Sequence, residues 1–145
     1  MKKLITLTLA SLCIVSPFAL AGGKGGTELA LANYAGLGLV AAKGFPLQVE
    51  FLAANGLQTY GEVEFGFGFG DNLALGAEVS AGLLFGLDKG LSVYGSLGPA
   101  LGFGADASFG LGAEIGLNLD VNKSSIFIEV GRHPASDYFA VGLRF

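Results

Sequence analysis

From Phe109 to Val121 the residues alternate singly. Phe109, Leu111, Ala113, Ile115, Leu117, Leu119 and Val121 take the odd positions, and Gly110, Gly112, Glu114, Gly116, Asn118 and Asp120 the even ones. A period of two places each set on one face of an extended strand, whereas a helix would scatter both around its circumference. The same alternation runs through Val63–Phe69, Leu73–Leu87, Leu91–Phe103 and Phe139–Phe145. Turn-forming clusters punctuate it at Lys43–Pro46, Asn55–Gly56, Gly70–Asn72, Asp88–Gly90, Gly104–Asp106, Asn122–Ser124 and His133–Ser136. The pattern predicts roughly eight strands, over 27–41, 45–54, 58–70, 73–87, 91–105, 108–121, 125–132 and 137–145. The first is the least regular, with Asn33 on its apolar face.

The chain before these strands has a different character. Lys2 and Lys3 precede an apolar run from Leu4 to about Val15, and Ala19-Leu20-Ala21 forms a small-x-small cleavage site. This is the pattern of a secretory signal peptide over 1–21, removed in the mature protein. Cleavage there removes Cys13 and both the n-region lysines, leaving no cysteine and twice as many acidic as basic residues. Gly22–Gly26 reads as a flexible glycine-rich lead-in, and 27–145 as one β-barrel domain. No later stretch offers the ~20 apolar residues of a spanning helix.

Composition decides which face of the sheet is inside. Hydrophobic residues make up 52% and charged residues only 14% of the chain, against about 25% charged in soluble globular proteins. The polar face is mostly glycine, alanine and serine with isolated glutamates, too little charge to keep a soluble sandwich dispersed. The inverted arrangement fits: Leu, Val and Phe toward lipid, small and polar residues toward a lumen. A sheet in lipid has to close on itself, because hydrocarbon cannot satisfy an open edge, and closed bacterial barrels start at eight strands. The expected fold is all-β: an antiparallel up-and-down transmembrane β-barrel of about eight strands, following an N-terminal signal peptide. So narrow a barrel barely holds its own side chains, so inward glycines are expected to make room for Tyr60, Tyr94, Tyr138 and Arg144. A soluble exported barrel with its apolar face inward around an apolar ligand is the alternative architecture.

The last strand, Tyr138-Phe139-Ala140-Val141-Gly142-Leu143-Arg144-Phe145, alternates to its end and stops on phenylalanine. In this, and in its strand count and leader, the chain resembles the small eight-stranded bacterial outer-membrane barrels of the OmpA and OmpX type. The resemblance implies an outer-membrane location in contact with outer-membrane lipid. It also implies that Phe139, Val141, Leu143 and Phe145 form a signal read by the barrel-assembly machinery. Two features depart from the family. There is no Trp, so Phe replaces the usual interfacial girdle of Trp and Tyr. With both termini periplasmic, the external connections near Lys43–Pro46, Gly70–Asn72, Gly104–Ala107 and His133–Asp137 are short, which argues against an adhesin or large-ligand receptor.

The inward register gathers Glu50, Glu64, Glu78, Glu114 and Glu129 into an expected acidic belt across the lumen, with Glu62 one step nearer the periplasm. Arg144 is the only clear inward base. Buried carboxylates need partners, protons or water. The belt is therefore a structural network, a narrow wet pore that weakly prefers cations, or a set of oxygens around a divalent cation. No cofactor is indicated. A single His and a single Cys exclude zinc and disulfide frameworks. A formal charge of −4 without a basic cluster excludes nucleic acid. His133 and Ser136 share a turn and Glu129 is near in sequence, but their spacing does not resemble that of outer-membrane lipid-modifying hydrolases. No enzyme is expected, and His133 reads as a turn residue before Pro134.

Overall fold

The computed structural model describes residues 24–104 and 106–145; the expected signal peptide, 1–21, lies outside them. Eight antiparallel strands follow one another around a closed barrel: β1 (Gly26–Tyr34), β2 (Leu37–Leu47), β3 (Leu57–Phe69), β4 (Leu73–Asp88), β5 (Leu91–Phe103), β6 (Ala107–Val121), β7 (Ser124–Arg132) and β8 (Asp137–Arg144). β8 pairs with β1 from Glu28↔Arg144 to Tyr34↔Tyr138, and Thr27 and Phe145 exchange backbone hydrogen bonds of 2.7 and 2.9 Å beyond that ladder. Among the described residues no strand edge is left unpaired, as a hydrocarbon environment demands.

The dyad pattern sets the two faces. Along β8, Tyr138, Ala140, Gly142 and Arg144 are buried while Phe139, Val141 and Leu143 are exposed. Large apolar side chains cover the outside on every strand, from Leu117 at 41% exposure to Phe109 at 76%. The alternative with the apolar face inward is therefore corrected: the large apolar side chains face outward, and the interior is built mainly of tyrosine, glutamate and small residues.

The first two predicted segments are also corrected. The expected strand 27–41 is a hairpin, β1 and β2 joined by Ala35-Gly36. Both residues have positive φ (50° and 122°), the left-handed backbone that tight hairpin loops use. Ser136 Oγ accepts the Ala35 N–H at 2.9 Å. Asn33 pairs with Leu37, so three residues separate the last partners; an odd number preserves the odd–even parity of the chain, and the sequence reads straight through the turn. Lys43–Pro46 accordingly lies within β2, near the end that carries the termini, and is no external connection. The expected strand 45–54 is the end of β2 followed by one helical turn, α1 (Glu50–Ala53). Its N–H groups return to Val49, Glu50, Leu52 and Ala53, and Gly56 closes it at φ 77°.

The two rims differ. At the rim opposite the termini the strands are joined by Ala35–Gly36, 70–72, 104–106 and 133–136. The longest connection, 48–56 with α1, is at the terminal rim. Outer-membrane barrels usually have their long loops outside and their tight turns in the periplasm.

Candidate functional site

The interior collects a dense cluster of ionisable side chains. Glu28, Glu62, Glu64, Glu78, Glu114 and Glu129 are buried there, with Lys24, Arg144 and His133. Of the expected belt, Glu64, Glu78, Glu114 and Glu129 point into the lumen, and Glu62 joins them. Glu50 does not: it is exposed on α1 at the terminal rim. The apolar alternation Phe45, Leu47, Val49, Phe51 runs past the end of the strand, which is why parity misplaces it.

Sequence reasoning missed the centre of the site. Lys24, assigned to the flexible lead-in, is 1% exposed and extends its ammonium into the lumen. Nζ lies 2.9 Å from both carboxylate oxygens of Glu62 and 2.8 Å from Glu114 Oε1. Glu28 is 3.5 Å away and Glu129 3.9 Å. The ammonium also stands over the Tyr94 ring, 4.3 Å from its centroid, and 5.2 Å from that of Tyr60, a favourable position against the π face. Glycines on both sides disguise this residue as linker, and only closure of the sheet brings its partners together. Arg144 is therefore not the only inward base. It occupies the terminal end of the lumen, donating from Nε to Glu28 at 2.8 Å and from Nη1 to the Asn118 carbonyl oxygen at 2.7 Å.

The tyrosines connect the carboxylates. Tyr60 donates to Glu114 at 3.2 Å and Tyr94 to Glu129 at 2.7 Å. The Tyr138 hydroxyl lies 3.0 Å from Glu129 and 3.1 Å from Glu64, so its single proton serves one of the two. Three rings rest on a glycine of the adjacent strand, their direct register partner: Tyr60 on Gly82, Tyr94 on Gly116 and Tyr138 on Gly131. The Tyr34 ring covers Gly66, two strands away. A Cβ at any of these glycines would collide with the ring.

Oxygens of Glu62, Glu64 and Glu114 lie within 4.8 Å of one another, a separation that would suit a divalent cation. The Lys24 ammonium already contacts two of the three, so the charge a metal would bring is supplied by the chain.

His133 lies in the turn before Pro134, as expected, but its side chain enters the lumen. It is 4% exposed, and its Nδ1 lies 2.9 Å from the Tyr34 hydroxyl. Burial lowers its pKa below the usual value, opposed by a hydrogen bond to the Ala77 backbone, so the ring is neutral at pH 7 and accepts from Tyr34. Its Nε2 is 3.9 Å from Glu78. Ser136 Oγ does not approach the ring: it accepts from Ala35 and donates to the Asp137 carbonyl at 2.7 Å. No nucleophile–base pair is formed by these residues. Because the folded state resists protonating His133, stability falls as pH drops through the unfolded value of about 6.5. His133→Gln, which keeps an acceptor for Tyr34 but does not titrate, is expected to lose less stability than wild type between pH 7.5 and 5. Urea unfolding at both pH values measures this, and equal losses would refute it.

No protein-family model matches the sequence, and no curated protein matches it. Solved structures do. The Yersinia pestis outer-membrane protein Ail in a phospholipid bilayer nanodisc aligns with a TM-score of 0.56 at 15% identity, covering 84% of this chain and all of that one. Neisserial surface protein A aligns at 0.52 and 13% identity over 81% of this chain and 91% of its own. A chain from the de novo design of transmembrane β-barrels aligns at 0.55 and 16% identity over 86% and 98%. The fold is that of the small outer-membrane β-barrels.

Proposed function

We propose that this protein is an integral outer-membrane β-barrel with a structural role, its lumen a closed ion-paired core instead of a conduit. The observation that carries the reading is Lys24. Its ammonium sits among four carboxylates drawn from β1, β3, β6 and β7 and under two tyrosine rings, where a permeating cation would have to pass. The tight turns opposite the termini favour the same reading, since binding functions are concentrated in long loops. Catalysis has no support, because Ser136 and His133 serve as turn and lumen contacts.

Purified protein in planar bilayers tests it. Wild type is expected to show no unitary conductance. Replacing Glu64, Glu78 and Glu114 together by Gln is expected to change thermal stability and leave conductance absent. A steady wild-type channel whose cation preference falls in that triple variant would establish the narrow acidic pore instead.

The reading includes export by the 1–21 leader and insertion through the terminal strand. Phe139, Val141, Leu143 and Phe145 all face outward, accessible to an assembly factor. Deleting Phe145 also removes the backbone bonds it exchanges with Thr27, so Phe145→Ala, which keeps them, is the cleaner variant. It is expected to lower the amount of heat-modifiable barrel in outer-membrane fractions severalfold while the purified barrel keeps its stability. Normal insertion would remove the assembly role from this side chain.

A further inference from the structure

The outer wall carries a broad, open hollow, of about 720 Å³, beside the rim that holds the termini. Its origin is local. Gly61 on β3 pairs with Ala81 on β4, and Gly95 on β5 pairs with Leu83, one outward step further along β4. Outward positions that elsewhere hold Leu or Phe hold almost nothing here. Around them stand Leu47, Leu83, Phe85, Leu97 and Ile115. The end of β2 and the start of the β2–β3 connection border it. Leu47 Cδ1 lies 3.6 Å from where a Cβ would sit on Gly61, and Phe85 Cε2 3.9 Å from the same point on Gly56. Val49, in that connection, also lines the hollow. Val93 points outward yet is only half-exposed.

We infer that this hollow holds one acyl chain of a bilayer phospholipid as a resident ligand, distinct from the exchanging lipids around the barrel. The hollow is continuous with the apolar band that faces hydrocarbon, and none of its outward-pointing side chains is charged. An empty concavity in a hydrocarbon medium forfeits dispersion contacts along its whole lining, and a chain is the only material at that depth to restore them. From Ala81 to Phe85 the hollow follows β4 for ~13 Å at the rise of an extended strand, running from the terminal rim toward the middle of the barrel, as a chain descending from a headgroup does. Val49, from the β2–β3 connection, adds a contact beyond those of the barrel wall itself. The inference needs the outer face to be lipid-facing but is independent of whether the lumen conducts.

The test reconstitutes the protein in phosphatidylethanolamine–phosphatidylglycerol vesicles, extracts it in mild detergent and weighs the complex by native mass spectrometry. Wild type is expected to retain one phospholipid. Gly95→Leu and Ala81→Phe, which fill the hollow from outward positions, are expected to reduce retention at least fivefold. Heat-modifiable mobility of each sample separates loss of the lipid from loss of the barrel. Wild type is also irradiated in vesicles containing a phospholipid with a diazirine on one acyl chain, which requires no variant. Adducts concentrated between Ala81 and Leu97 support the site. An even spread of adducts around the barrel, no retained lipid in wild type, or equal retention in the folded filled variants overturns it.

Discussion

Lys24→Met is expected to destabilise the barrel by ~3–5 kcal/mol at neutral pH, the usual cost of removing one partner from a buried charge cluster. Methionine fills a similar volume but supplies no charge, leaving Glu62 and Glu114 without the ammonium 2.8–2.9 Å away. Glu28 and Glu129 lose their weaker attraction to it as well. The loss belongs to the carboxylates left behind more than to the missing lysine. Lys24→Met combined with Glu62→Gln and Glu114→Gln is therefore expected to recover a large part of the stability, because the amides need no cation. Urea unfolding in detergent, followed by gel mobility and tyrosine fluorescence, measures each variant. A single variant within 1 kcal/mol of wild type, or a triple variant worse than the single, would show that Lys24 does not hold the lumen together.

The second large effect concerns the tyrosine–glycine contacts. Gly82→Ala, Gly116→Ala and Gly131→Ala are each expected to cost ~1–3 kcal/mol by overpacking. The new methyl overlaps the Tyr60, Tyr94 or Tyr138 ring. Those rings have nowhere to go, being buried and bonded to Glu114, Glu129 and Glu64. Gly86 is the control: nothing lies within 4 Å of a Cβ built there, so Gly86→Ala is expected to stay within about 0.5 kcal/mol of wild type. A double-mutant cycle of Gly116→Ala with Tyr94→Ala isolates the contact. Once the ring is gone the methyl has nothing to strike, and Gly116→Ala becomes close to neutral. If all four alanine variants behave alike, the rings do not depend on the glycines.

Much of this architecture is legible in the sequence because an eight-stranded barrel turns parity into geometry. Tyr60, Tyr94, Tyr138, Glu64, Glu78, Glu114 and Glu129 each fall on the inward parity of their own strand, and so do the glycines opposite the rings, at even positions on β4 and β6 and at an odd one on β7. What escapes is whatever does not change parity or is not on a strand. Ala35-Gly36 turns the chain without shifting the odd–even count, and alanine does not advertise a turn. Glu50 continues an apolar alternation into a segment that has already left the sheet. Lys24 and His133 lie outside the strands. They look like linker and turn, and their positions are determined by partners 38 and 90 residues distant for Lys24 and 99 for His133. No local window contains that information.

The central ammonium also bears on the order of events during folding. Lys24 is among the first residues of the described chain, yet Glu114 and Glu129, which complete its surroundings, belong to the sixth and seventh strands. Contacts spanning so much sequence form late and slowly, since the loop between them must first be ordered. Until the last strands arrive, the carboxylates of an open sheet can keep their water; closure and charge neutralisation then happen in one step. The lumen thus favours a complete cylinder over any partly wrapped intermediate, and makes the arrival of the final strand the moment at which the N-terminal segment becomes locked in place.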